Sequence, residues 1–448
     1  MGLLTTVLAF LLALGLLIVV HELGHYAVAR LCGVKVLRFS VGFGRPIARW
    51  MLGPDRTEWV IAAVPYGGYV RMLDERESES GPIDPADLPR AFNRKPVVQR
   101  AAIVAAGPAA NLLMAVAIYF VMNLIGFNDL LAVVGRPPAG TPAATAGLAE
   151  GDIVVKVDGE AVRSWNELRW DLLRQAADRA QPEVLVRDAA GAERRVRLDL
   201  GSVDTDRVDG DFLARIGIQP GDAEPVAREL TPGMPAQQVG LQVGDRIVNI
   251  EGTAVASVTD IQRIVGAAAG KPLRFEVERE TARLQLVITP SEVRGAAGAP
   301  VGRIGVGFRN TLRVRDTPLP ALTHAVGRTW QTSIFSLRML GRMIVGRASL
   351  QNLSGPVTIA DAAGQSARIG PMAYLGFLAL VSISLGVMNL LPVPVLDGGH
   401  LLYYAIEVVK GSPPSASWLE LGQRMGIGLL VVLTALALYN DLTRLLFQ

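Results

Sequence analysis

HELGH, residues 21–25, stands at the end of an apolar run that begins LLTTVLAFLLALGLLIVV at residue 3. Leu3 to Val20 contains no charged residue, and a helix of this length can cross a hydrocarbon core of about 30 Å. The residues after Val20 are compatible with continuation of the helix. The sequence therefore predicts a membrane-spanning helix that carries two histidines and a glutamate. We expect it to stay uncleaved, because removal as a signal peptide would delete the motif.

Composition supports a membrane protein. Half of the 448 residues are hydrophobic and 19% are charged, and the mean hydropathy is +0.34. These values are too apolar for an ordinary soluble protein of this length. The net charge of +3 and the lack of a Lys-rich or Arg-rich tract give no support to nucleic-acid binding. The single cysteine, Cys32, cannot form an intrachain disulfide.

Three further apolar runs complete a predicted set of four spans: Ala101–Asn128, Ile369–Leu396 and Met425–Asn440. Between Arg30 and Arg100 there are twelve Lys and Arg residues, and basic residues concentrate in cytoplasmic loops. That segment is therefore predicted to be cytoplasmic. The long stretch from about 129 to 368 would then lie in the periplasm or its equivalent.

The predicted outer region contains an internal repeat at an offset of 93 residues. TPAATAGLAEGDIVVKVDGEAV, residues 141–162, aligns without gaps to MPAQQVGLQVGDRIVNIEGTAV, residues 234–255, with ten identities. Each copy continues into a polar helix-like stretch and then alternating strands. Two copies of one small mixed fold are therefore expected. The GLxxGDxIxxxxG pattern resembles bacterial PDZ domains, which bind extended peptide ends beside a sheet edge. Such units can also act as steric filters, and the sequence leaves these two roles open.

HELGH has the spacing of a zinc site. His21 and His25 are four residues apart, so a helix brings both imidazoles to one face. Glu22 follows His21 directly and is placed to act as a general base. The alternative is a histidine pair satisfied inside a polar bundle, but an ionisable cluster in an apolar span is costly and indicates function.

A catalytic zinc usually has three protein ligands, and Asp397 is the predicted third. It is the first charged residue after the apolar run of the third span, and topology places it at the same depth as HELGH, toward the cytoplasmic side. Asp397 could instead cap a helix, with Gly398 and Gly399 as a turn. Cys32, seven residues after His25, is a rival ligand, and His400 is another candidate.

Asn389, Pro392 and Pro394 precede the aspartate in NLLPVPVLDGGH. The Asn389 amide needs a partner in an apolar setting, either another helix or a developing oxyanion. The two prolines are expected to break the helix and free backbone groups, which is tolerated beside a water-filled cavity.

Taken in order, HELGH, GFGRP at 42–46, YGGYVRML at 66–73, AGPAANLLMA at 106–115, the repeat and NLLPVPVLDGGH resemble site-2 proteases of the RseP type over nearly the whole chain. The resemblance implies one Zn²⁺ per chain, held by His21, His25 and Asp397, with Glu22 as the general base. Asn389, with the Pro392 and Pro394 turn, would hold substrate or transition state. Gly67 and Gly68 would lie in a membrane-associated β region that presents an edge to unwound substrate.

The implied protein is polytopic and α-helical, with four transmembrane helices, two tandem extracytoplasmic PDZ (α+β) domains and that β region. The expected domains are the first two spans with the β loop (1–128), PDZ units (129–220 and 221–310), a linker with an amphipathic surface helix (311–368), and the last two spans (369–448). Implied substrates are single-span proteins of the bacterial inner membrane that a first protease has already cut. They include an anti-sigma factor of an envelope stress response and remnant signal peptides.

Two other functions fit part of this pattern. A different membrane metalloprotease would also place HELGH in a span, although the LDGGH element and the repeat argue against it. A PDZ-bearing membrane scaffold with a relic metal site is the non-enzymatic alternative. The complete HExxH motif together with Asp397 favours the protease.

Overall fold

The structure, a computed structural model, describes residues 2–76, 83–177, 180–188, 191–201, 212–221, 225–255, 257–280, 282–294, 300–308, 311–346 and 355–447. The chain forms two compact units. We call Met1–Phe127 with Arg315–Gln448 the helical unit, and Asn128–Val314 the sheet unit.

The helices are, in chain order, α1 (Gly2–Leu31), α2 (Val97–Ile125), α3 (Pro142–Thr145), α4 (Trp165–Ala177), α5 (Phe212–Arg215), α6 (Pro235–Gln238), α7 (Val258–Ala267), α8 (Pro318–Ile344), α9 (Pro356–Ile369), α10 (Pro371–Asn389), α11 (Asp397–Lys410) and α12 (Ala416–Phe447). Two short 3₁₀ turns, Leu88–Arg90 and Phe92–Arg94, precede α2.

The strands are β1 (Val36–Leu52), β2 (Thr57–Met72), β3 (Phe127–Leu130), β4 (Ile153–Val157), β5 (Glu160–Ala161), β6 (Glu183–Arg187), β7 (Glu193–Arg197), β8 (Glu229–Leu230), β9 (Arg246–Ile250), β10 (Thr253–Ala254), β11 (Leu273–Arg279), β12 (Ala282–Ile288), β13 (Ser291–Arg294), β14 (Pro300–Arg303), β15 (Val306–Gly307) and β16 (Thr311–Val314).

In the described part of the chain, four helices are long and apolar enough to cross a membrane: Leu3–Leu31, Val97–Ile125, Pro371–Asn389 and Ser417–Thr443. Each of the four predicted spans therefore corresponds to a helix that could cross a membrane. Large apolar side chains on these helices face outward, as in Leu3, which is 80% exposed. Exposed apolar side chains along helices of this length are typical of a surface that faces lipid.

The boundaries of the last three spans differ from the predicted ones. The second helix is Val97–Ile125 rather than Ala101–Asn128, because the chain leaves the helix at Gly126 and enters β3. The third helix ends at Asn389 rather than continuing to residue 396, because Pro392 and Pro394 follow and cannot continue a helix. Asp397 is therefore the first residue of a separate helix, α11, and not the end of a span. The fourth span begins at Ser417 instead of Met425.

A long antiparallel hairpin, β1–β2, lies between the first two spans. It contains both glycine motifs that the sequence singled out, and in the described residues β1 and β2 form a sheet of their own. Apolar side chains are exposed along it, including Ile47 at 71% and Met51 at 55%. β2 packs against α1, so the hairpin reaches the helix that carries HELGH.

The sheet unit contains two four-stranded sheets of equivalent strand order, β5-β4-β6-β7 and β10-β9-β11-β12. Each encloses its own apolar core, built around Leu168 and Leu172 in one copy and Phe275 in the other. Aligned glycines adopt matching positive φ angles, for example Gly151 at 90° and Gly244 at 101°. The identities between the repeats therefore mark turns that a side chain would strain.

The aligned aspartates of the repeat, Asp152 and Asp245, close the same turn in both copies. Asp152 accepts a hydrogen bond from the amide of Ala149 at 2.7 Å, and Asp245 accepts one from Gln242 at 2.8 Å. Both carboxylates also pair with arginine, but Asp245 does so with Arg279 on β11 and Asp152 with an arginine of β7.

Residues 311–368, expected as a linker with one surface helix, contain α8 and α9 in their described parts. Asp441 of α12 fixes the start of α9. Its carboxylate accepts hydrogen bonds from the backbone amides of Gly355, Val357 and Thr358. These amides have no partner within the first turn of a helix, so the aspartate ties the last span to α9.

Candidate metal centre

α1 brings the two histidines of HELGH together on one face. The Nε2 atoms of His21 and His25 are 3.2 Å apart, and the rings meet edge to face with centroids 4.8 Å apart. Both side chains are largely buried, at 12% and 11% exposure. Two ring nitrogens that point at one spot in an apolar bundle form one side of a metal site.

Asp397 supplies a third donor atom to this candidate site. Its Oδ2 atom lies 3.2 Å from Nε2 of His21 and 3.5 Å from Nε2 of His25. Donors about 2.0–2.1 Å from a tetrahedral ion lie about 3.3 Å from one another, so the observed triangle fits zinc. Oδ2 is also buried without a hydrogen-bond partner among the described residues. The donor set of two imidazoles and one carboxylate is one that zinc commonly uses.

The geometry favours one of the alternative sets of ligands. Among the described residues, His21, His25 and Asp397 form the group whose donor atoms all lie within 4.8 Å of one another, and neither Cys32 nor His400 belongs to it. Cys32 follows the end of α1 and packs in an apolar cluster instead.

The region after Asp397 differs from the turn that was the alternative to a metal ligand. Gly398 and Gly399 are buried in the first turn of α11 rather than forming a turn. A Cβ on Gly398 would lie 2.2 Å from the carbonyl oxygen of Leu391, so the glycines let α11 pack onto the preceding loop. That packing places Asp397 at a helix N-terminus, which stabilises a carboxylate.

Glu22 lies beside the triad and is 8% exposed. β2 passes directly over it, because a Cβ on Gly68 would lie 2.9 Å from Cγ of Glu22. The neighbouring Gly67 faces Phe43, whose ring would be 2.4 Å from its Cβ. Gly68 therefore lies next to the predicted general base, whereas Gly67 makes room for an aromatic ring of the hairpin.

Asn389 ends α10 and is half-buried, and Leu390–Leu396 has no helical structure. Pro392 is exposed and Pro394 is half-buried within this loop. The loop joins α10 to the helix that starts with Asp397, so it lies beside the metal centre along the chain. Contact of these residues with substrate stays a prediction.

α2 supports the site through residues for which the sequence predicts no role. A Cβ on Gly107 would lie 2.2 Å from Nε2 of His25 and 2.9 Å from Cε1 of His21, so a hydrogen atom is all that fits there. Nδ1 of His25 pairs with the carbonyl oxygen of Ile103 at 2.9 Å. The side-chain amide of Asn111 lies 3.1 Å from Nδ1 of His21. A sequence feature that could have indicated Asn111 is that it is a polar residue among small residues in an apolar span.

The far end of α11 is held by a buried ion pair. Nη2 of Arg100 on α2 lies 2.7 Å from Oε1 of Glu407, and the side chains are 11% and 14% exposed. The Arg100 guanidinium also lies 5.0 Å from the centroid of the Tyr404 ring. α2 therefore contacts both histidines at one point and anchors the helix of Asp397 at another.

Comparison with known proteins agrees with this geometry. The family described as "Peptidase family M50" matches residues 9–433. A protein of Ralstonia nicotianae that is named as a zinc metalloprotease is 46% identical over 455 residues, covering 98% of each chain. The regulator of sigma-E protease RseP of Escherichia coli is 40% identical over 449 residues, again with 98% of each chain. The protease RseP of Yersinia pestis is 40% identical and covers 99% of this chain and 100% of its own.

Among solved structures, the PDZ domain of an SdrC-like protein from Listeria monocytogenes is similar to 18% of this chain and matches over 82% of its own, at 22% identity and a TM-score of 0.16. The family match and the full-length relatives are decisive. The chain belongs to peptidase family M50, the site-2 type of metalloprotease.

Proposed function

We propose that this protein hydrolyses peptide bonds within the membrane-spanning segment of single-span proteins, using one zinc ion per chain. The observation that carries the proposal is the convergence of His21, His25 and Asp397 to 3.2–3.5 Å inside a unit of membrane-spanning helices. A site on the first membrane-spanning helix would be accessible to substrates in the membrane rather than to soluble ones.

The proposed roles follow from the positions of the side chains. Zinc, when bound by His21, His25 and Asp397, supplies a Lewis acid for the scissile carbonyl. Glu22 takes a proton from the attacking water and delivers it to the leaving amine. Asn389 donates its amide to the developing oxyanion.

The backbone around Glu22 suits an extended substrate. A helix hides its peptide bonds in hydrogen bonds, so the substrate has to unwind locally before attack. β2 offers a strand edge, and Gly68 brings that strand against Glu22 without an intervening side chain. We propose that unwound substrate pairs with the hairpin near Gly67 and Gly68. The loop that contains Pro392 and Pro394 would keep the other side of the metal site accessible.

The biological substrate is proposed from the relatives. Proteins named regulator of sigma-E protease align over nearly their whole length with this chain. We propose an anti-sigma factor, already trimmed by a first protease, as the substrate, with remnant signal peptides as a further class.

We propose that residues 129–220 and 221–310 are tandem PDZ domains on the periplasmic side of the inner membrane, and that the zinc site lies toward the cytoplasm. Equivalent strand orders and the matched glycine turns support the tandem assignment. The basic segment from Arg30 to Arg100 supports the orientation. The PDZ pair would bind peptide ends or exclude substrates with bulky outer domains.

Cleavage by purified protein tests the proposal. The full chain is reconstituted with a single-span reporter that lacks its outer domain, and the wild type is compared with Glu22→Gln and with a chelator-treated sample. We expect cleavage by wild type, its loss in both other samples, and recovery when zinc is returned to the chelated one. Unchanged cleavage by Glu22→Gln would refute the mechanism, and no cleavage by wild type would favour a scaffold.

A further inference from the structure

Asn111 is a completely buried polar residue in the middle of the second span, with 0% exposure. Its side-chain amide lies 3.1 Å from Nδ1 of His21 on α1. Its backbone oxygen accepts a hydrogen bond from Oγ of Ser382 on α10 at 2.7 Å. Asn111 therefore stands where the first three spans meet, on the side of the imidazole that faces away from Asp397.

The chemistry of His21 defines what this amide has to do. Nε2 of His21 faces Asp397, so Nε2 is the nitrogen available to a metal. A neutral imidazole that uses Nε2 as a ligand carries its proton on Nδ1, and that proton needs an acceptor. With the amide nitrogen of Asn111 toward Nδ1, two donors would face each other, and the buried Oδ1 of Asn111 would have no partner among the residues that the structure describes.

Rotation of the amide by 180° turns this contact between two donors into a hydrogen bond. The oxygen and nitrogen of an asparagine amide are nearly equal in size and are assigned from their hydrogen bonds. Oδ1 then accepts from Nδ1–H of His21. His25 already has the same arrangement, because its Nδ1 pairs with the carbonyl oxygen of Ile103. α2 thus provides one acceptor behind each histidine, a backbone carbonyl for one and the Asn111 side chain for the other.

We infer that Asn111 is a positioning residue of the zinc site, which holds His21 in the tautomer and ring orientation that direct Nε2 at the metal. This inference rests on the proposed zinc site. Partners of this kind typically change metal affinity by about 10–100-fold when they are removed. Asn111 does not touch substrate, and its effect on cleavage passes through His21.

Metal affinity of the full-length protein in detergent tests the inference without an activity assay. Asn111→Leu removes the acceptor at similar volume, and Asn111→Asp restores one. Asn123→Leu is a matched control, because Asn123 is a second buried asparagine of α2 that bonds instead to the carbonyl oxygen of Ala321. Zinc affinity is measured by chelator competition, and visible absorption after Co²⁺ substitution reports ligand geometry.

We expect Asn111→Leu to bind zinc about 10–100-fold more weakly and to alter the Co²⁺ spectrum, with most of the affinity regained in Asn111→Asp. Asn123→Leu should bind as tightly as wild type. If Asn111→Leu keeps wild-type affinity while His21→Ala loses zinc, the positioning role fails and the zinc site stands. Equal losses in the two leucine variants would assign the effect to packing and overturn the inference. A wild type that binds no zinc would overturn both.

Discussion

Gly107 shows how closely the second span approaches the metal site. The histidine rings occupy the space where its side chain would be, and Gly24 in HELGH has the reciprocal role, since its Cβ would lie 2.3 Å from the carbonyl oxygen of Ala106. Small residues allow this close helix contact, as is common between membrane helices. Gly24 and Gly107 therefore allow α1 and α2 to approach closely, although neither takes part in the proposed reaction.

Gly107→Ala should displace the imidazoles. The added methyl group would meet ring atoms of both His21 and His25, so one or both rings have to move. A displacement of about 1 Å at a catalytic group can cost about 100-fold in rate, and we expect a loss of that order in kcat/KM. Gly15→Ala is the control, because nothing lies within 4 Å of the corresponding Cβ. Equal reporter cleavage by both variants would contradict the packing described for Gly107.

Asp245 makes the sheet unit sensitive to acid. Burial raises the pKa of Asp245, but the hydrogen bonds from Arg279 and from the Gln242 amide together outweigh burial and lower this pKa below its ordinary value of 3.8. A lowered pKa in the folded state gives stability that is present above pH 3.8 and is lost as the pH falls through the folded-state pKa. Asp245→Asn should therefore melt below wild type at pH 7, with the gap closing below pH 3.8. A gap that is constant with pH would contradict this account.

At the scale of elements, α11 is the part that completes the metal site. It begins with Asp397, and its other end is attached to α2 by Arg100 and Glu407. The non-helical Leu390–Leu396 segment separates it from α10. α11 is therefore oriented by its own ion pair rather than by continuity with the third span.

Removal of Arg100 from its ion pair with Glu407 should weaken the attachment of α11 to α2 and lower the stability of the protein. An uncompensated buried charge costs about 3 kcal/mol, so we expect Arg100→Met to lower the thermal stability in detergent and the zinc affinity. Arg100→Met combined with Glu407→Leu should recover much of the stability. Arg136→Met is the control, since its ion pair with Glu150 is exposed at 86% and 53% and such pairs contribute about 0–1 kcal/mol. A double variant less stable than the single one would contradict the role of the ion pair.

The four long apolar helices, the repeat and the proximity of His21 to His25 could be predicted from the sequence, because each depends on a local pattern. Asp397 was predicted from the order of the spans instead. Apolar length indicates a span, and i, i+4 spacing places His21 beside His25. The roles of Asn111 and Gly107 could not be predicted, because they depend on how α2 packs against α1. The spacing of residues along the sequence does not reveal that packing. The arginines that pair with Asp152 and Asp245 could not be predicted either, because they do not stand at equivalent positions in the two copies of the repeat.

At the scale of the whole molecule, the chain joins a helical unit that holds the metal site to a sheet unit with two copies of one fold. If the sheet unit filters substrates, the outer domain of the substrate should control the cleavage rate. We expect a reporter with a large folded outer domain to be cleaved at least about tenfold more slowly than the trimmed reporter, a barrier difference of about 1.4 kcal/mol. Equal rates for the two reporters in proteoliposomes would contradict the filter.

The central claim is that the site on the first span cuts inside the membrane, and the position of the cut tests it most directly. Products from the trimmed single-span reporter are analysed by mass spectrometry after incubation with reconstituted wild type and with Glu22→Gln. We predict new termini within the apolar span of the reporter, formed by wild type and absent with Glu22→Gln. Termini confined to the reporter's aqueous segments, or formed equally by both proteins, would contradict the claim.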